Sequence, residues 1–216
     1  GFGMVEQWDI ESYDLSSNVD PLDLPPVYTK TWFHTGYYHQ RDKISRKYED
    51  EYFQDIYSWI LPDTTLPINL SGEEAREACR ALRGSPLRIE IYSLDGTPIQ
   101  NIPYTVEEKS YSLQCLQHRT KTQYAIFLKT ESETLQYAYE RDVTDPRVSH
   151  QLILNTDEYG NPLETVQVAY QRRSSSALTE QTTLKMVYAE NSFINNNTTD
   201  FNLIGMPYQN KQFEIH

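Results

Sequence analysis

Three groups of residues in this 216-residue chain could do chemistry. Glu131-Ser132-Glu133 has the Glu-x-Glu form used in ADP-ribosyl transfer. Enzymes of that kind carry a Ser-Thr-Ser-like strand before the pair, whereas Ser174-Ser175-Ser176 follows it here. The pair also sits between two β-rich runs, where polar residues predict a solvated hairpin turn. His34 and His39, near Asp42, offer imidazole and carboxylate ligands. Their spacing matches no tight metal site, and no cysteine lies nearby to complete one. His150 follows Ser149 and lies downstream of Asp145, the residue types of a nucleophilic triad, but no Gly-x-Ser-x-Gly elbow holds the serine. His150 shares strand parity with Leu152 and Leu154, which predicts a half-buried strand residue. The sequence argues for no catalytic residue, no cofactor and no metal, so the residues to follow are structural.

The elements that position them are clearest between Leu61 and Gly96. Ser71 with Glu74 has the form of a capping box, and Ala75, Ala78, Cys79 and Leu82 follow at helical spacing, predicting a helix over 72–83. Gly84 suits the left-handed position past its end, and Pro86 forces the chain into an extended form. Leu87, Ile89 and Ile91 then alternate with Arg88, Glu90 and Tyr92, predicting a strand with the apolar set buried, closed by an Asp95-Gly96 turn. Arg141, Asp142, Asp145 and Arg147 crowd around Pro146. The planar guanidinium fork suits carboxylates, so mutual ion pairs are expected to fix this loop, with Arg147→Ala lowering the melting temperature. Asp157 to Pro162, with Gly160 and Asn161, predicts the turn of a hairpin between the runs from Val148 and to Tyr170.

Elsewhere, Phe2, Met4, Trp8 and Ile10 share one parity, compatible with an opening strand. Asp20 to Pro26 holds three prolines, which break regular structure. Val27 to Tyr38 reads as a second strand ending near Gly36. Ile44, Tyr48, Tyr52, Ile56 and Ile60 recur every fourth position and suggest a helix between Arg41 and Ile60. Four short strands are expected at 104–106, 111–117, 124–129 and 134–140, with further strands at 184–188 and through Ile204 and Phe213, and an Asn-rich turn from Asn195 to Asp200. Three segments follow: N-terminal strands over 1–60 with a proline-rich linker, a β unit over 61–173, and an extended tail over 174–216.

A hydrophobic fraction of 38% and a mean hydropathy of -0.68 predict a soluble chain without a transmembrane helix and with no direct membrane insertion. Seventeen tyrosines and three tryptophans favour sheet. A net charge of -12 excludes nucleic acid as a natural partner, since phosphates would be repelled. Cys79 and Cys115 are too few for a disulfide scaffold and read as small buried hydrophobes. The opening Gly-Phe-Gly, without initiator methionine or leader, is expected of a piece cut from a longer chain.

Eight blocks carry a resemblance: GFGMVEQWD at the start, KTWFHTG at 30–36, LPDTTLP at 61–67, EEAREACRALRG at 73–84, YSLDGTP at 92–98, PYTVEEKSY at 103–111, YERDVTDPRVSH at 139–150 and YGNPLETVQVAYQRR at 159–173. In this order they resemble the middle and C-terminal part of the B component of bacterial insecticidal toxin complexes. Related segments occur in Salmonella virulence plasmid B-type proteins. The likeness is strongest from Leu61 to Arg173 and weakens after Ser174.

The resemblance implies a mainly β fold, an extended curved antiparallel sheet of short strands and hairpins with one or two short helices, like the Rhs-repeat shells. It implies a non-enzymatic segment of the hollow shell that encloses a cytotoxic partner domain. The implied partners are the Rhs-repeat C-type toxin component and, through other parts of the parent chain, the A-type pore component. Such a protein is made in the bacterial cytoplasm and secreted as part of a toxin complex. The Asp157-x-x-Gly160-Asn161 turn resembles the turn of tyrosine-aspartate repeats, although a local hairpin explains it equally well. A carbohydrate- or peptide-binding β module, using exposed aromatic side chains, is the alternative.

Overall fold

The computed structural model describes residues 1–9, 25–38, 43–174 and 178–215. The break from Asp20 to Leu24, Ile10, His39, Asp42 and Ser175-Ser176 lie outside those residues. Nine strands form one open sheet, in which each pairs antiparallel with its sequence neighbours. They are β1 (Met4–Asp9), β2 (Val27–Phe33), β3 (Pro86–Ser93), β4 (Thr105–Gln117), β5 (Ile126–Ala138), β6 (Arg147–Thr156), β7 (Pro162–Ala169), β8 (Lys185–Asn197) and β9 (Asn202–Ile215). The chain is mainly β, and the strand order passes unbroken through positions 60–61 and 173–174. A single α-helix among the described residues, α1 (Gly72–Ala81), lies in the long connection between β2 and β3.

α1 begins with the capping box: the Ser71 hydroxyl accepts from the Glu74 amide at 3.3 Å, and the Glu74 carboxylate accepts from the Ser71 amide at 2.8 Å. Ala75, Ala78, Cys79 and Leu82 are buried as the spacing requires. Ala78 and Leu82 pack on Tyr111 and Leu113 of β4. Gly84 at φ +78 turns the chain, and its amide donates to the His34 carbonyl at 2.9 Å. Cys115 and Cys79 are free thiols.

β3 buries the opposite face from the one its alternation suggests. Leu87 is buried as expected, at the register shift beside Trp32, but past it Arg88, Glu90 and Tyr92 are 3%, 0% and 6% exposed, whereas Ile89 and Ile91 are only half-buried. The reason is register. Trp32 pairs with Arg88, Arg88 with Glu108, Glu108 with Leu135 and Leu135 with His150, so these side chains form one row on one face. The β2–β3 connection lies over that row, with Leu61 packed among Val106, Leu135, Tyr137 and Val148, and Tyr52 against Trp32 and Leu87.

The helix expected between Arg41 and Ile60 is replaced by one 3-10 turn, Arg46–Glu51, followed by extended chain. Backbone amides that a helix would use internally are taken by side chains of the connection and the sheet. Phe53 donates to Glu90 at 2.8 Å, Trp59 to the Tyr137 hydroxyl at 3.1 Å and Leu61 to Glu108 at 2.7 Å. Asp63 accepts from the Ile44 and Ser45 amides at 2.7 and 2.5 Å. The four-residue apolar period has no single face to bury: Tyr52 is 8% exposed and Ile56 87%.

The four short strands expected between 104 and 140 merge into two long ones, β4 and β5. Glu131, Ser132 and Glu133 are not a turn. They lie within β5 at a bulge opposite Ser110 and Tyr111, a device that adds local twist without ending pairing. Each side chain finds a cross-strand partner: Lys109 donates to Glu131 at 3.1 Å, Ser110 and Ser132 hydroxyls meet at 2.7 Å, and Glu133 faces His150 at 3.1 Å. The reversal comes earlier in the chain, between Gln117 and Ile126. Native-state hydrogen exchange should therefore find the Lys129 and Thr134 amides comparably protected. Fast exchange throughout 130–133, with both neighbours unprotected, would restore the turn.

Candidate functional site

The residues with the most constrained chemistry surround Arg88. Its Nε donates to Glu90 at 2.7 Å, Nη1 to Glu108 at 2.9 Å and Nη2 to the Phe53 carbonyl at 2.5 Å. The Tyr92 hydroxyl adds a bond to Glu90 at 2.6 Å, and the guanidinium lies 4.8 Å from the Tyr52 ring centroid. Burial pushes the Glu108 carboxyl above its ordinary value, and Arg88 beside it opposes that shift. These partners engage all three Arg88 nitrogens and occupy both carboxylates. The arrangement leaves no open position for a substrate, and it works as a clasp between loop and sheet. Sequence alternation concealed it, because Arg88 and Glu90 sit where a solvated face is expected.

Arg141, Asp142, Asp145 and Arg147, after β5, do not pair with one another. Arg141 reaches back to the β3–β4 turn and grips Asp95 with both terminal nitrogens, at 2.5 and 3.0 Å, and Thr97 at 2.6 Å. This grip holds the Asp95 carboxyl well below the usual carboxylate range. Gly96, at φ +71, lets the turn present those groups. Asp145 instead accepts from Arg172 at 2.8 Å and from the Arg173 and Ser174 amides at 2.7 and 3.1 Å. Arg147 pairs with Glu140, with side chains 61% and 63% exposed, so the contact adds little stability. Glu140 and Arg141 take left-handed backbone, φ +50 and +66. That conformation breaks the strand and directs Arg141 away from its neighbours in sequence.

His150 makes no triad. Its ring nitrogens meet Glu133 at 3.1 Å and the Tyr170 hydroxyl at 3.2 Å, while Ser149 is on the opposite face. At the β6–β7 tip, Asp157 accepts from the Tyr159 and Asn161 amides, each at 2.9 Å, and from the Asn161 and Asn195 side chains at 2.9 and 2.7 Å. Gly160 supplies φ +87. Asn195 then accepts from the Gly205 amide at 2.8 Å, so this turn ties the β6–β7 hairpin to the β8–β9 hairpin. Its partners on β8 and β9 are too distant in sequence for turn chemistry to reveal.

At α1, Glu74 also meets His118 and the Arg119 amide, each at 2.9 Å, and Glu77 accepts from the Ala125 amide at 2.9 Å. Hydrogen bonds, first from the Ser71 amide and then from the Arg119 amide, bring the Glu74 carboxyl down to about 2. The helix cap thus also anchors the β4–β5 reversal. Asp55 accepts from Tyr139 at 2.8 Å and Arg173 at 3.0 Å. No group of three His, Cys, Asp or Glu side chains suited to a metal occurs among the described residues.

His34 is 4% exposed, edge-on to Tyr111, and its Nε2 is buried without a hydrogen bond. Burial lowers its pKa from 6.5 to about 4, against an opposing contribution from Asp63. The unfolded chain takes up this proton near pH 6.5, the folded chain only near pH 4. Stability therefore falls as pH drops through that interval and levels below it, by at most about 3 kcal/mol. His34→Phe should flatten this part of the pH–stability curve relative to the unmutated protein. Parallel curves would show that the ring does not titrate this way.

Arg88→Ala leaves Glu90 and Glu108 buried without their cation, and should cost about 3–5 kcal/mol in chemical denaturation. A loss below about 1 kcal/mol would mean that the clasp is not a principal support.

The comparisons with known proteins agree with this frame. The chain matches none of the curated proteins. It is similar to the crystal structure of TcdB2-TccC3, with TM-score 0.81 and 29% identity over 99% of this chain and 11% of the other. The TcdB2-TccC3-Cdc42 crystal structure gives TM-score 0.81 and 28% identity over 99% of this chain and 11% of the other. The Photorhabdus luminescens Tc holotoxin pore gives TM-score 0.79 and 27% identity over 100% of this chain and 11% of the other. The chain thus spans 11% of the length of the solved chains it matches. Residues 77–206 match the family model described as the insecticide toxin TcdB middle/C-terminal region, and the chain belongs to that family.

Proposed function

We propose that this chain is a non-enzymatic wall segment of a hollow β shell, built by a toxin-complex B component together with its C component, that encloses a cytotoxic partner domain. The observation that carries the reading is the open nine-stranded meander, similar over nearly its whole length to TcdB2-TccC3. Among the described residues, the outer edges of β1 and β9 pair with no further strand, so the sheet can be continued at both ends. In this reading the Rhs-repeat C-type component is the direct partner. The A-type pore component is met through other parts of the parent chain, and the assembly is a secreted toxin complex. In this reading Glu131 and Glu133 serve strand pairing, and the Arg88 cluster serves packing.

A binding-module reading draws on one feature, the Trp8–Tyr28–Tyr92 ladder, with ring centroids 5.0 and 5.8 Å apart and Trp8 50% exposed. A saturable glycan-array signal lost with Trp8→Ala would favour it.

The wall reading is tested by limited proteolysis of the partner's C-terminal cargo in complex with the full parent chain, comparing the intact parent with one lacking residues 61–173 that still binds its partner. Cargo degraded only in the deletion complex is the expected result. Equal protection in both would overturn the assignment as wall.

A further inference from the structure

The face of the sheet opposite the Arg88 clasp carries an unassigned trough. Register sets two adjacent rows across β5 to β8: Gln136–Ser149–Ala169–Lys185 and Thr134–Gln151–Gln167–Val187. At the strand spacing of a sheet, each row runs about 14 Å. Ser149 and Ala169 are short, and the neighbouring row begins with Ala138 opposite Arg147, so the floor is depressed. Two adjoining cavities of about 460 and 370 Å³ lie over it and share Gln136, Ser149, Ala169 and Lys185 in their lining. The segment around Gln181, tied down by the Arg172 amide donating to its carbonyl at 2.8 Å, forms a wall at one end.

Two properties distinguish this surface from an ordinary solvated face. The first is charge. In a chain of net charge -12, neither row contains a carboxylate, and of the three cations lining the larger cavity, Arg147 pairs with Glu140 and Arg172 with Asp145, while Lys185 has no ion pair among the described residues and Glu180 is the one acidic residue in the lining. Arg172 holds Asp145 through Nη2, while its Nε is buried without any hydrogen-bond partner. The second is unspent hydrogen-bonding capacity: the amides of Gln136, Gln151 and Gln167 present paired donors and acceptors in the geometry of a peptide group.

We propose that this trough binds an extended, acidic polypeptide segment laid across β5 to β8, with a carboxylate side chain seated on Lys185 beside Arg172 and its backbone amides met by the glutamines. The occupant follows from the chemistry. Lys185, the cation of the lining without a carboxylate partner, selects a carboxylate, and the amide array beyond it matches a peptide backbone rather than a compact anion. The inference stands independently of the wall reading, because it requires only this face of the sheet.

The test uses the full-length parent chain and a fluorescein-labelled eight-residue peptide of alternating threonine and glutamate, followed by anisotropy at low and moderate salt. Saturable binding is expected, weakened by salt and about tenfold weaker for the threonine–glutamine counterpart. Lys185→Glu should weaken binding about tenfold without shifting thermal unfolding, and Lys185→Arg should restore it. No saturable binding, equal affinity for the two peptides, or binding indifferent to Lys185→Glu would overturn the proposal. So would inorganic phosphate binding as tightly as the peptide, which would identify a plain anion site.

Discussion

Arg88 stands between two carboxylates in the middle of a sheet face, and the path of the β2–β3 connection depends on it. A single guanidinium buried with Glu90 and Glu108 would be costly unless every remaining lone pair and proton were met. The connection meets three of them: Phe53 gives both its amide and its carbonyl, and Leu61 gives its amide. The loop is therefore held at two points eight residues apart in sequence by groups that belong to the sheet. Between those points Trp59 leans edge-on against Tyr137 and Tyr170. The clusters around the clasp are apolar, while the charged trio fixes where Phe53 and Leu61 meet the sheet.

That clasp divides the sheet into unlike halves. From β2 to β6 the clasp face is covered by the β2–β3 connection, where the clusters around Leu61 and Trp32 lie, whereas α1 packs on Tyr111 and Leu113, which alternate to the other face of β4 from Val106 and Glu108. Beyond β7 nothing among the described residues covers the same rows: Phe213 and Ile215 are 47% and 40% exposed. Strands without a packed layer are held mainly by their neighbours. The Asp157–Asn161–Asn195–Gly205 contacts fit that need, because they tie two hairpins together at their tips where cross-strand pairing alone would fray.

Local signals in the sequence were legible where the physics is local. The capping box, the apolar face of α1, the Gly84 exit and the Asp157 turn each depend on residues within a few positions of one another, and each forms as read. The β class was legible from alternation and aromatic content, and the family from eight ordered blocks. What failed did so for non-local reasons. The alternation of β3 gave no sign that Arg88 would find Glu108 across the sheet, so past Leu87 the buried face was inverted. The four-residue period from Ile44 to Ile60 resembled a helix because nothing nearby shows that its amides will be claimed by Glu90, Tyr137, Glu108 and Asp63. Arg141 was grouped with its sequence neighbours, although its partner Asp95 lies on a different turn.

The edges carry the remaining constraint. β1 has one neighbour, and so has β9, and exposed strand edges template pairing with other chains. β9 places Pro207, which has no amide proton, opposite Phe193 beside a register shift, with a second shift between Ile194 and Asn196. These irregularities lie toward the β8–β9 tip, whereas Gln209 to Ile215 stays regularly paired and exposed. An edge that is interrupted at its tip and regular along its base restricts where another strand can join. Taken with the unlayered face beside it, this makes the β9 end the part of the molecule whose stability depends most on what is added from outside, whereas the clasped half carries its own second layer.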